Sequence, residues 1–152
     1  MAKILVLKSS IMGEGSQTNR LIDVMLKHRK DQGLQDDITI RNLAEMNLPV
    51  LDLEIFQALR GAENINQDIQ QIVALSDELI AELKSADLLV VSSRGGIHVG
   101  QEAEAVTPYL KAVLGLMGIH DVEFIYAEGL DMQAYRSNAL DLASQQVKEF
   151  AI

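Results

Sequence analysis

The sequence predicts a three-layer α/β fold, with a parallel sheet of about four strands and helices on both faces. Three observations carry this. Short apolar runs rich in Ile, Leu and Val alternate along the chain with stretches whose apolar residues recur at helical spacing. The resulting order, β-α-β-α-β-α-β-α, is that of a parallel sheet covered by its own crossovers. Two loops of hydroxyls, glycines and amides, residues 9–19 and 93–100, directly follow strand-like runs, where ligands of such sheets bind.

Taken in order, Lys3–Lys8 (KILVLK) reads as a buried strand and Leu21, Ile22, Met25 and Leu26 as the inner face of a first helix. Gly33 is the expected stop of that helix. Asp37–Leu43 alternates as a half-buried or edge strand does, and Leu48-Pro49-Val50-Leu51-Asp52 is an extended connector. A short helix over Leu53–Arg60 precedes a long one over about Asn66–Ser85, with Ile65, Ile69, Ile72, Val73, Leu79, Ile80 and Leu83 facing the core. Asp87–Ser93 is apolar until its end, as a central strand is. Thr107-Pro108 is the expected start of a helix that stops at Gly118. Val122–Ala127 is the fourth strand, and a last helix runs from about Ser137 to Phe150. Strand order 2-1-3-4, with two major helices per face, is the expected topology. No internal repeat or linker interrupts the 152 residues, so residues 1–152 are expected to form a single domain.

Charge and composition exclude several classes of function. A formal charge of −9 argues against nucleic acid and anionic membranes as partners. The absence of cysteine removes disulfides, thiol catalysis and zinc–thiolate sites, and fits a reducing compartment. The N-terminal apolar run is too short for a signal peptide and nothing approaches a membrane span, so a soluble cytoplasmic protein is expected. His28, His98 and His120 do not stand at ligand spacing, so no metal site is expected.

The first loop offers a phosphate site. Ser9, Ser10, Ser16 and Thr18 bracket a turn that opens a helix, aiming free N–H groups and the positive end of the helix dipole at one point. The plain alternative is an ordinary turn with Ser16 or Thr18 as N-cap, but one cap needs one hydroxyl. No Lys-Ser or Lys-Thr closes the loop, and Thr18 stands where a dinucleotide fingerprint has its third glycine. In the second loop, Arg94-Gly95-Gly96-Ile97-His98 combines a fixed cation, two residues that let backbone approach a ligand, and an imidazole. Its alternative is a glycine turn beside a surface arginine. Ser92, Ser93 and His98 also raise a hydrolase, with no acid partner specified.

Several blocks, in this order, resemble the FMN-dependent NADH azoreductase / NADH:quinone oxidoreductase family: Lys3–Asn19, Leu48–Asp52, Leu75–Asp87, Ser93–His98, Val106–Gly118 and Asp121–Gly129. The resemblance implies a flavodoxin-like fold, a homodimer, non-covalent FMN, and hydride passed from NADH through the flavin to quinones or azo compounds. Ser10, Ser16, Gln17 and Thr18 match the family's phosphate-binding positions. Ser93, Arg94, Gly95 and Gly96 match its second flavin-contacting loop, with His98 just beyond as a possible catalytic group. The family also has a loop that packs on the flavin ring, a crossover helix and a further strand before Ser-Arg-Gly-Gly. Here Leu88-Leu89-Val90-Val91 runs straight into Ser92-Ser93-Arg94, an internal deletion between Val91 and Ser93. The departure implies weakened FMN binding, with a non-catalytic remnant that holds a phosphate-bearing ligand weakly, or serves only as a subunit, as the alternative function.

Overall fold

Ten elements make up the computed structural model, which describes residues 2–63 and 65–150. The strands are β1 (Lys3–Lys8), β2 (Asp37–Asn42), β3 (Leu88–Ser93) and β4 (Val122–Ala127). The helices are α1 (Gln17–Asp31), α2 (Leu53–Leu59), α3 (Gln67–Ser85), α4 (Val106–Leu116) and α5 (Gln133–Glu149), with a 3-10 turn over Gly13–Gly15. The α/β alternation and all four strands are as expected. The last helix begins earlier than Ser137, at Gln133, and the fourth begins at Val106, one residue before Thr107, whose N–H and hydroxyl both donate to Glu104 Oε1 at 3.0 Å.

The expected order 2-1-3-4 is corrected. Strand β1 pairs in parallel with β2, and β3 in parallel with β4, as two separate two-stranded sheets. Side chains rather than a ladder join the halves, and α1 is the bridge. Leu21 and Met25 pack with Ile125, Ala127, Leu130, Ala143 and Val147 of the β4–α5 side. Ile22, on the same helix, packs with Ile4 and Val6 of β1, and Val91 of β3 leans on that cluster.

Splitting the sheet leaves helices underused. A strand occupies about 4.8 Å of sheet width, whereas a helix with side chains is about 10 Å across. A two-stranded sheet is therefore only about as wide as one helix and has no room for a second on the same face. Of the α3 positions expected to face the core, Ile69 alone is fully buried, and it packs with Ile55 and Ala58 of α2 in a satellite cluster. Helix α4 has no fully buried residue. Register places Ile38 and Ile40 beside Ile4 and Val6 on the α1 side, where they stay exposed because α1 does not reach them.

Local chemistry ends and ties the elements. Gly33, at φ +76°, closes α1 with its own N–H on Lys30 O and Leu34 N on Arg29 O, as expected for a left-handed stop. Arg29 and Asp36, both buried, make a two-bond ion pair at 2.6 and 3.0 Å that fixes the path from α1 into β2. Arg41 of β2 reaches Glu78 and Glu82 and pins α3 across the β1–β2 pair.

Candidate functional site at the carboxyl ends of the strands

The two polar loops meet, as expected for loops that leave the same edge of a doubly wound fold. Thr18 Oγ1 and Ser93 Oγ share a hydrogen bond at 2.8 Å, tying the start of α1 to the end of β3. Register explains the encounter: Ser93 stands opposite Ala127 on the face of β3 that looks toward α1.

Within the first loop the hydroxyls divide their work. Ser16 is only 5% exposed, and its Oγ accepts from Asn19 N at 3.2 Å, so it is the N-cap of α1. Ser10 Oγ accepts from Met12 N at 3.3 Å, and the Asn19 amide donates to Gly13 O at 3.2 Å, so the loop is braced by its own side chains. The N–H groups of Gln17 and Thr18 belong to the first turn of α1, where no intrahelical carbonyl is available to them.

The second loop is sorted by polarity. The carbonyls of Arg94, Gly95 and Gly96 accept from Leu130, Asp131 and Gly129 N, at 3.1, 3.1 and 2.9 Å. Among the described residues, no acceptor is hydrogen-bonded to the N–H of Gly95, Gly96 or Ile97. A strip of backbone with its oxygens tied back and its N–H groups unpaired attracts electron-rich ligand atoms. Within this zipper a Cβ on Gly95 would come within 2.0 Å of Asp131 Oδ2, so any larger residue there would have to turn the Asp131 carboxylate aside. Gly129, at φ +74°, turns the partner strand of the zipper and is buried against Tyr135.

Arg94 is placed differently from a surface cation. Its side chain is 11% exposed, its Nη1 donates to Glu128 Oε1 at 3.2 Å, and its Nη2 lies 3.1 Å from Glu104 Oε1. Nη2 is out of line for a hydrogen bond there and has none, so this second contact is an ion pair only. The guanidinium also stacks on Tyr126, 4.4 Å from the ring centre. Arg94 thus spends its charge inside the protein, and its backbone too is engaged, its N–H donating to Ala127 O at 2.9 Å and its carbonyl accepting from Leu130 N. His98 is exposed, and its ring covers Gly96, with Nε2 2.9 Å from where a Cβ would stand. The hydroxyl of Ser93 is bonded to Thr18, and no hydrogen bond joins Ser92 or Ser93 to His98 among the described residues. The hydrolase arrangement therefore gains no support. No group of three or more metal-ligating side chains occurs among the described residues either.

Sequence reasoning did not single out Glu128, Glu104 or Asp131 as parts of this site. Their one signal was position, at or just past the ends of β4 and the second loop. Three of the most developed surface concavities lie elsewhere, beside Phe56, beside Leu34 and between Asp87 and His120. None of these three is lined by the two polar loops.

Fold and site define an α/β protein whose two polar loops present backbone donors at the start of α1 and beyond the end of β3. The sequence model of the Flavodoxin-like fold family matches residues 2–93 and 88–151. A Burkholderia lata protein named FMN-dependent NADH:quinone oxidoreductase 4 is 46% identical over 185 aligned positions, covering 91% of this chain and 93% of that one. An Aeromonas salmonicida FMN-dependent NADH:quinone oxidoreductase is 39% identical over 199 positions, covering 100% of both. In fold, the chain is similar to an FMN-dependent NADH-azoreductase from Bacillus anthracis solved in complex with FMN, at TM-score 0.82 and 17% identity, over 98% of this chain and 97% of that one. The chain belongs to this flavodoxin-like family, together with relatives named FMN-dependent NADH:quinone oxidoreductases.

Both alignments are longer than the 152 residues of this chain, so the relatives carry an internal segment with no counterpart here. The two stretches matched to the family overlap over residues 88–93, which are β3 itself. One strand stands where the resemblance implies two. In the structure β1 pairs with β2 alone and β3 with β4 alone.

Proposed function

We propose that this chain binds FMN at the loop edge and passes hydride from NADH to quinones or azo compounds, more slowly than relatives that keep the internal segment. The observation that carries the reading is the polarity-sorted loop Arg94–Gly96 tied by Ser93 to the helix start at Thr18. The residues fit the two polar ends of FMN. The first-turn N–H groups of Gln17 and Thr18, with the Thr18 hydroxyl and Ser10, would hold the phosphate. The N–H groups of Gly95, Gly96 and Ile97 would face the electron-rich edge of the ring, and His98 stands beside them. When bound, the flavin supplies the hydride relay. The chain's own contribution is to bind, orient and offer donors where negative charge accumulates on reduction.

A second reading is favoured by the missing segment: a non-catalytic remnant that holds a phosphate-bearing ligand weakly or acts only as a subunit. Flavin content after purification with FMN, together with NADH-dependent quinone reduction, separates the two. Bound flavin with turnover supports the first reading, and a folded protein that never takes up FMN overturns it.

The phosphate end has its own test. Thr18→Val should weaken binding of FMN and of inorganic phosphate about tenfold, the scale of one hydrogen bond to a charged group. Ser16→Ala should instead cost about 1 kcal/mol of stability as a lost cap, with little change in phosphate affinity. Titration calorimetry beside thermal melts reads both. Equal affinity loss in the two variants would refute this division.

As further parts of the same reading, the protein is cytoplasmic and a homo-oligomer. The latter is supported by apolar side chains left outside, among them Val50 at 87% and Leu116 at 90% exposure. Light scattering should show a dimer or larger species, and a monodisperse monomer at high concentration would count against it. Among the described residues no helix is long and apolar enough to cross a membrane.

A further inference from the structure

Three backbone and side-chain donors converge on one carboxylate at the rim of the second loop. Glu128 Oε1 accepts from His98 N at 3.0 Å and from Val99 N at 3.1 Å, while Oε2 takes Val99 N at 3.0 Å. Arg94 Nη1 donates to the same Oε1 at 3.2 Å. The Glu128 side chain is 13% exposed and its bond to Arg94 is partly buried, whereas the two backbone donors lie on the exposed rim of the loop. On one flank of the Gly95–Ile97 strip the carbonyls are tied to residues 129–131. On the other flank Glu128 ties the chain to the end of β4, at His98 N and Val99 N, beside a local turn in which Gln101 N donates to His98 O at 2.9 Å.

We propose that Glu128 is a positioning residue, which by clamping both ends of the loop holds the N–H groups of Gly95, Gly96 and Ile97 turned toward the ring edge of the bound flavin. The inference rests on the flavin reading above and adds to it the residue that preorganises the donors. Glu128 itself does not touch the ligand. Without the clamp, the strip keeps its zipper to residues 129–131 but loses its hold beyond Ile97. Its donors are then free to turn away, and preorganisation is what gives such donors their value.

The test uses the full chain with Glu128→Ala and Glu128→Gln. In the ligand-free protein, amide hydrogen exchange at His98 and Val99 should speed up tenfold or more in Glu128→Ala, the scale on which bonds to an ionised carboxylate act. Exchange in β1 and α1 should not change, and Glu128→Gln, which keeps one acceptor oxygen, should fall between. FMN should bind Glu128→Ala about tenfold more weakly, with a more negative midpoint potential, because the lost donors favour the reduced ring. Binding of inorganic phosphate, which reads the first loop alone, should be unchanged. Unaltered exchange at His98 and Val99, or equal losses of FMN and phosphate affinity, would overturn the proposal. A wild-type protein that binds phosphate but no FMN would overturn the flavin reading instead, and the exchange data would still decide whether Glu128 orders the loop.

Discussion

FMN should bind this chain roughly a thousandfold or more weakly than it binds a relative that carries the internal segment, and hydride transfer should suffer more than binding. The size follows from burial. An aromatic side chain buries about 150–250 Å², and a three-ring flavin no less. At about 25 cal/mol per Å², losing about 200 Å² of that burial costs on the order of 5 kcal/mol, which is between three and four decades in dissociation constant. The phosphate end remains in place at the start of α1, so binding is weakened rather than abolished. Transfer of hydride needs the nicotinamide stacked in register on a ring held still. Fluorescence titration of FMN, run beside NADH-dependent quinone reduction, measures both halves. Stoichiometric, tight FMN with turnover equal to that of the Burkholderia lata relative would sink this prediction. It would mean that another surface, such as a second copy, walls the ring.

The second large effect concerns Arg94. Replacing it with methionine keeps much of its volume but leaves Glu104 and Glu128 facing the protein interior without their shared cation. At neutral pH, Arg94→Met should lower Tm on the order of 10 °C. The pH dependence has a definite sign. In the wild type, Glu104 is held below the usual carboxylate range, first by the Thr107 N–H and then by the Thr107 hydroxyl and Arg94, against an opposing push from burial. Asp36 is held down likewise, chiefly by Arg29. Groups with lowered folded pKa contribute stability that is present above the ordinary carboxylate pKa and lost as pH falls through the lowered one. Wild-type Tm should therefore be flat from neutrality to about pH 5 and fall below that. In Arg94→Met, Glu104 loses its counter-charge, which raises its folded pKa, so acidification should narrow the gap to wild type. Melts across this range test it. A constant Tm difference from pH 7 to pH 4 would show that Arg94 matters by packing alone.

Four strands, their order along the chain, most helix limits and the two polar loops were legible in the sequence because each rests on local rules. Apolar period marks the elements, and Gly33 and Gly118 stop helices through local backbone geometry. The hydroxyl-rich loop at the start of α1 was legible for the same reason, since strand, hydroxyls and helix start are contiguous. The family and the internal break could also be read, because blocks in sequence order carry them. What only the tertiary structure decided is how separate segments meet. That β1 and β3 form no ladder is one such fact, since no local pattern in either strand records its neighbour. Arg94 read as a fixed cation for a ligand and turned out to be enclosed by Glu104, Glu128 and Tyr126, all distant in sequence from it. Ser16 and Thr18 looked equivalent until packing buried one as a cap and set the other against Ser93. Composition and period report what a segment can do alone, whereas charge pairing and sheet closure depend on which segments packing brings within a few ångströms of each other.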